Sequence, residues 1–430
     1  MKVVWLVNGM LPEFSNALGR NGGNTGGWMS ALIGEIRRLA PHVKLHIVCE
    51  SEGDYRCEVN DICYYSFKNF NHGLRWGRSS KRAFADKVRG LVQDIKPSLI
   101  HFHGTENGYI DLGDSIWCGV PRVVTLQGVL NGIYPHYMGG LTPRQLKPHQ
   151  NHLRNLITGR NLFDTMELWR TTLAPAETRS LNKMSHIAGR TDWDYAWTRA
   201  LAPHATYHTV GEIMRPDFYA LDNRSRVISH RIYASAAFKY PLKGGHVLLQ
   251  ALACLKDVYP DVKLAIADSL DKLRPQTLRA KLSQTEYHRY LSTQIQRFGL
   301  EDNIELLPSI DSVRVRDELA KSEVYCQASF VENSPNSLAE AQLVGVPVVA
   351  SYVGGIPSMV DDGKTGLLIP PGDAAQLAEA IARLFEDDAL KSAISDCARK
   401  VAIVRHDSHV VVSDLLGCYE KVIKSAKFSL

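Results

Sequence analysis

Short, uninterrupted apolar runs alternate along the whole chain with stretches of helical period, and few architectures accommodate that pattern. In the first half the runs are residues 3–7, 45–49, 99–102, 123–126 and 187–189. A strand that is apolar at every position has to be covered on both faces. Between the runs lie stretches such as Trp28, Ala31, Leu32, Ile36 and Leu39, which share one helical face. The second half repeats the theme, with strand-like runs at 227–235, 262–267, 304–307, 324–327, 347–351 and 367–369. Helical stretches there cover 245–256, 335–344, 374–385 and 407–424. Strand and helix in alternation predict an α/β fold built on parallel sheets.

The length, 430 residues, suits two or three domains at about 100–200 residues each. Residues 203–226 lose periodicity and carry Pro203, Gly211 and Pro216, so the hinge is placed there. The expected division is a first doubly wound domain over 1–212, a second over 213–405, and a helix over 406–430 that packs back on the first. Ligands of such sheets bind beyond the carboxyl ends of the strands, so a cleft between the domains is the expected active site.

Composition narrows the function. A net charge of +5 provides no strongly basic arm for nucleic acid. The eight cysteines form no C-x-x-C pair, which suits a reduced, cytoplasmic setting without a zinc or redox motif. The apolar run near Met1 is too short for a signal peptide, and no stretch approaches the length of a membrane span. Residues 75–89 combine Arg75, Arg78, Lys81, Arg82, Lys87 and Arg89 with Trp76, Phe84 and Val88. They read as a solvated helix face or as a helix resting on an anionic membrane.

The chemistry concentrates in SFVENSPNSLAEAQLVGVPVVASYVGGIP, residues 329–357. Ser334 and Pro335 read as an N-cap and first helical residue, and Gly345 and Pro347 as a stop. The amide end of such a helix binds anions, a diphosphate among them. On one continuous helix Glu332 and Glu340 would stand roughly 80° apart. With Glu332 in the preceding loop, it would sit near the helix mouth. Read alone, the two carboxylates are more often a solvated loop residue and a surface helix residue.

This segment, with DDGKTGLLIPPGD at 361–373, resembles the E-x-seven-E signature of glycosyltransferase family 4, retaining enzymes of GT-B fold. The resemblance implies that Glu332 contacts the donor sugar and Glu340 the ribose. Asn336, Ser337 and Leu338 then offer backbone N–H groups, and Lys243 in YPLKGG pairs with the diphosphate. Gly26 and Gly27 match the family's glycine pair after the first strand. His103 in HFHGT, Arg190 and Asp194 in GRTDWD, and Tyr134 in the Gly- and Tyr-rich stretch 129–140 are expected on the acceptor side. That stretch reads as a mobile loop or as ordinary loop packing. His101 reads as packing. Two histidines without a third ligand do not make a metal site, and the D-x-D of Asp192 and Asp194 falls too late in the chain to be a metal motif.

Three departures stand out. Gln127 occupies the place of the family's histidine, and it can hydrogen-bond but not titrate. Ala236 and Ala237 replace a Gly-Arg pair, which leaves Lys239 as the second cation. Ala267 and Asp268 replace a glycine pair. The resemblance implies a retaining glycosyltransferase of surface polysaccharide or glycoconjugate synthesis. It would use a nucleotide-sugar donor, a glycan or lipid-linked acceptor and no metal, and would visit the inner membrane face. A sugar-nucleotide epimerase and a non-catalytic sugar-nucleotide-binding protein are the alternatives.

Overall fold

In β1 (Lys2–Val7), Val3, Trp5 and Val7 enter one apolar cluster while Val4 and Leu6 enter another. That is how a continuous apolar run reconciles the two-residue period of a strand with burial on both faces. The structure is a computed structural model that describes residues 1–20, 22, 26–68, 78–159, 161–220, 226–267, 270–308 and 310–427.

The chain forms two units: Met1–Asn131 with Thr172–Arg215 and His406–Leu430, and Gly132–Thr171 with Pro216–Arg405. The strands of the first are β1, β2 (Lys44–Ser51), β3 (Tyr55–Val59), β4 (Ile62–Lys68), β5 (Leu99–His103), β6 (Arg122–Thr125), β7 (His186–Gly189) and β8 (Thr206–Thr209). Their order is β3-β4-β2-β1-β5-β6-β7-β8, parallel except for the β3–β4 hairpin. The sequence reading had placed no strand at that hairpin. Its turn is Asn60-Asp61, both left-handed at φ 53° and 63°, the conformation of a two-residue type I′ connection.

The helix Ser408–Lys427 contributes Val411, Val412, Leu415, Tyr419 and Val422 to the cluster around Trp5. The fully buried Tyr419 hydroxyl accepts from Trp5 Nε1 at 2.9 Å and hydrogen-bonds His101 Nδ1 at 2.8 Å. The helix Arg78–Ile95 buries Phe84, Val88, Val92 and Ile95 in the opposite cluster. The apolar side chains Phe84, Val88, Val92 and Ile95 are therefore spent on the core. Arg75 and Trp76 lie outside the described residues, as do Gly23–Thr25 of the glycine-rich loop and Asp268.

The division differs from the sequence reading, which gave all of 1–212 to the first domain. Residues Gly132–Thr171 cluster with the second unit instead. Where the chain leaves the first unit, the buried Glu177 holds Asn131, accepting from its backbone N at 2.9 Å and its Nδ2 at 2.8 Å. Thr105 Oγ1 donates to the other oxygen at 2.6 Å. Once in the second unit, the segment is fixed by side chains. His246 Nε2 bonds the Gly139 carbonyl at 3.0 Å. Asn151 Nδ2 donates to the carbonyls of Lys281 and Gln284 at 3.1 and 3.0 Å.

The mobile loop expected at 129–140 is a run of short helical turns, Leu130–Ile133 and Tyr134–His136. Tyr137 is buried, and a Cβ on Gly139 would overlap the Pro241 carbonyl. Tyr134, expected with the first domain, travels with this segment.

The second sheet comprises β9 (Ile228–Ser235), β10 (Lys263–Ala267), β11 (Ile304–Leu307), β12 (Ser322–Gln327), β13 (Val348–Ser351) and β14 (Leu367–Ile369). All pairs are parallel, in the order β11-β10-β9-β12-β13-β14. Connections run one way from β9 and the other way from β12. The switch point of the second unit is thus β9/β12, and that of the first is β1/β5.

Candidate functional site

Helices leave opposite faces of the sheet on the two sides of a switch point, so the loops there part and leave room for a ligand. In the second unit those loops hold Lys243 and Glu332. After β9 the chain turns through Pro241–Lys243 into the helix Gly245–Val258. Gly244 sits between them at φ 73°, and a Cβ there would overlap the Ala328 carbonyl. The Phe330 amide donates to the Leu242 carbonyl at 2.7 Å and ties the β12 loop to the β9 turn.

Lys243 Nζ donates to Glu332 Oε1 at 2.7 Å. The same oxygen accepts from Gln327 Nε2 at 2.8 Å and Ser329 Oγ at 2.7 Å. Three donors on one carboxylate oxygen, two neutral and one charged, fix Glu332 as firmly as a surface-reaching side chain can be fixed. Glu332 is 10% exposed and Lys243 28%, so the pair still opens to solvent. Gln327 is oriented in turn: its Oε1 accepts from the Tyr325 hydroxyl at 2.5 Å, and Tyr325 also bonds Ser337 Oγ at 2.8 Å. Burial, reinforced by the carboxylates of Glu332 and Glu340, holds the Tyr325 phenol well above its usual value.

Glu332 lies in the loop, not on the helix. The helix spans Asn336–Val344, with Pro335 at the N-cap and no side chain capping it. Ser334 does not cap, contrary to expectation. Leu338 is also taken: its amide donates to the Pro335 carbonyl at 3.0 Å, closing the first turn. The amides of Asn336 and Ser337 make no hydrogen bond among the described residues. These two remain for an anion at the positive end of the helix. Glu340 is buried on the second turn. Gly345 ends the helix at φ 81°, where sequence reading placed the stop. The Gly354-Gly355 pair serves Glu332 directly. Gly355 N donates to the Glu332 carbonyl at 2.9 Å, and any Cβ on Gly354 would overlap that carbonyl. Lys239 is exposed, with its ammonium 5.4 Å from the Tyr240 ring centre.

In the first unit, His103 ends β5 in register with Val7 of β1, at the switch point. Its ring stacks near Trp5 at 4.3 Å, with the His101 ring 3.9 Å away. His103 is 2% exposed, and neither ring nitrogen has a hydrogen-bond partner among the described residues. Burial, with the Arg190 charge beside it, pushes its pKa down to about 3. A buried imidazole with two open valences is costly unless something fills them. His101 is the opposite case. Its nitrogens bond Tyr419 and Thr125 Oγ1, the latter at 2.7 Å, so it belongs to the core as expected.

Arg190 is held by a buried ion pair to Glu212 at 2.7 Å and by the Leu126 carbonyl at 3.1 Å. Asp194 is corrected. It is the N3 residue of the capping box begun by Thr191, accepts from Tyr207 Oη at 2.5 Å, and is fully buried. Gln127 follows β6 directly. Gly26 is left-handed at φ 78° and Gly27 opens the helix Gly27–Leu39. A Cβ on Gly27 would press on Arg215. No cluster of three or more metal-binding side chains occurs among the described residues.

Sequence reading missed Gln327, Ser329 and Tyr325. Their signal was present as polar groups at the end of a strand otherwise apolar on both faces, VYCQAS. It missed Glu212 because an ion pair between residues distant in sequence leaves no local pattern.

Comparison with known proteins follows the same line. Residues 230–401, all within the second unit, match the family model described as glycosyl transferases group 1. The chain is 32% identical over 186 residues to phosphatidyl-myo-inositol mannosyltransferase of Mycobacterium leprae, covering 43% of this chain and 45% of that one. It is 29% identical over 319 residues to D-inositol 3-phosphate glycosyltransferase of an Arthrobacter species, 74% of this chain and 68% of that one. For the first of these relatives the match thus spans less than half its length. In fold, the chain superposes on sucrose-phosphate synthase of Thermosynechococcus elongatus with a TM-score of 0.68, at 16% identity and 99% coverage of both chains. Anabaena HepE in complex with UDP and glucose gives 0.65, at 17% identity and 97% and 98% coverage. The architecture is the GT-B fold of paired Rossmann-like domains.

Proposed function

We propose that the chain is a retaining glycosyltransferase. It moves a sugar from a nucleoside-diphosphate sugar to a glycan or lipid-linked acceptor in surface polysaccharide or glycoconjugate synthesis. One observation carries the reading: Lys243 and Glu332 meet at the β9/β12 switch point, in a unit whose Asn336–Val344 helix offers two open amides. The group 1 match over that unit and the UDP and glucose complex among its structural relatives support it.

In this reading the bond from the anomeric carbon to the diphosphate oxygen breaks, and the leaving group takes the electron pair. The acceptor hydroxyl oxygen bonds to the same carbon from the same face, and its proton passes to the departing phosphate. Lys243 and the amides of Asn336 and Ser337 neutralise the charge as it develops. Lys243 must turn partly from Glu332 toward the phosphate. Glu332 then grips the sugar hydroxyls and Glu340 the ribose. His103 and Arg190 serve the acceptor side, and Gln127 orients without exchanging protons. Since a cation and a helix end carry the charge, a chelator should leave the rate unchanged.

A thermal-shift screen with UDP-, GDP-, ADP- and TDP-sugars, followed by product analysis, tests the proposal. A donor that raises the melting temperature and yields a glycosylated acceptor supports it. An altered donor sugar without acceptor would instead make the chain an epimerase. Tight binding with no turnover would make it a binding protein.

A further inference from the structure

The helix His152–Thr158 is built inside out. Leu153, Leu156 and Ile157 fall at i, i+3 and i+4, the spacing of an apolar face made for a core. That face points to solvent: the three are 52%, 81% and 69% exposed. The polar side faces inward. Asn151 caps the helix and reaches the carbonyls of Lys281 and Gln284, and Asn155 Nδ2 donates to Glu286 Oε1 at 2.7 Å. Specific hydrogen bonds thus hold the two leucines and Ile157 out. The neighbouring helix Leu278–Ser283 adds Leu278, 73% exposed, to the same pair of helices.

The exposed charge of these two segments has one sign, and Glu286, which Asn155 holds, is buried. Residues 141–163 and 272–285 contain no Asp or Glu. Arg144, Lys147, Arg279 and Lys281 are exposed and form no ion pair among the described residues. Apolar side chains held in water beside unpaired cations match the two layers of an anionic bilayer surface: acyl chains below, phosphate headgroups above. A second copy of the chain would bring cations against cations.

We infer that the helices His152–Thr158 and Leu278–Ser283 form a docking surface for an anionic lipid bilayer. The inference stands apart from the glycosyl-transfer reading and is tested by binding alone. It moves the membrane contact away from the helix Arg78–Ile95, whose Phe84, Val88, Val92 and Ile95 are buried.

The experiment is co-sedimentation of the full chain with phosphatidylglycerol-containing and pure phosphatidylcholine vesicles, without sugar nucleotides. The parent protein should partition onto anionic vesicles at least about tenfold more strongly than onto neutral ones. Leu156→Gln with Ile157→Gln should lower that partition by about tenfold or more. Arg279→Glu with Lys281→Glu should lower it comparably and remove its salt dependence. All four side chains are exposed, so melting temperatures should stay at the parent value and exclude misfolding as the cause. Lys81→Glu with Arg82→Glu, on the helix Arg78–Ile95, should bind as the parent does. Equal binding to both vesicle types, loss only in the Lys81/Arg82 variant, or a concentration-dependent dimer abolished by Leu156→Gln with Ile157→Gln would each overturn the inference.

Discussion

The two switch points use opposite electrostatics. In the second unit, Glu332 and Lys243 are charged, and the carboxylate already holds three donors. In the first, His103 is neutral, buried and unbonded. The charged site is organised before any ligand arrives and suits an anion that competes for Lys243. The neutral site has open hydrogen-bonding positions and suits a hydroxyl-bearing ligand. A nucleoside diphosphate and a sugar alcohol differ in the same way.

The strongest way to break this comparison is Lys243→Ala. Removing the cation that meets the developing charge should lower kcat/KM by about 100- to 1000-fold. The acceptor KM should hardly move, which initial-rate kinetics will resolve. If both parameters move alike, the two sites are not separable. Next is Tyr419→Phe, which strips a hydrogen bond from Trp5 and His101 in the first unit's core. It should cost about 2 kcal/mol in urea unfolding and leave kcat intact.

His103→Phe sharpens the contrast inside one strand. No hydrogen bond among the described residues is lost and an unsatisfied imidazole is removed, so unfolding free energy should fall by no more than about 1.5 kcal/mol. The acceptor KM should rise by about tenfold. A pH signature accompanies it. His103 has its pKa depressed from 6.5 to about 3. Between those values the unfolded chain binds a proton that the folded protein refuses. Stability is therefore full above pH 6.5 and falls as pH drops toward 3. The Phe variant should lose less melting temperature than the parent between pH 7 and pH 5. His246, pushed down to about 4 by burial, should impose the same trend on the second unit, unchanged by that substitution. The smallest effect belongs to Ala236→Gly. Ala236 holds φ 50° where the resemblance places glycine. Relieving it should stabilise the second unit by about 1 kcal/mol or less, read by chemical melts.

Strands covered on both faces were legible because burial leaves continuous runs, and the resemblance pointed to Glu332 and Lys243, which the structure brings together at 2.7 Å. The Asn336–Val344 helix was legible through Gly345, although its N-terminus was not. Ser334 reads as a good cap, yet Pro335 takes the place, and the missing cap is what leaves two amides open. Asp194 looked like a cleft residue because GRTDWD resembles the family's strand end, while T-x-x-D in the same TDWD is also a capping pattern. Only burial shows that capping won. The path of Gly132–Thr171 was hidden because its anchors, His246 with Gly139 and Asn151 with Lys281, pair residues far apart in sequence.

The helix that finishes the first unit has a consequence for synthesis. Trp5 and His101 emerge from the ribosome long before Tyr419, whose hydroxyl joins them. Until residues 408–427 follow, the part of that sheet face beside the Gly27–Leu39 helix has no cover. The second unit needs nothing beyond Arg405, so the half of the chain made later can complete its native packing sooner. A nascent chain stalled at that point should expose the β1 face to chaperones.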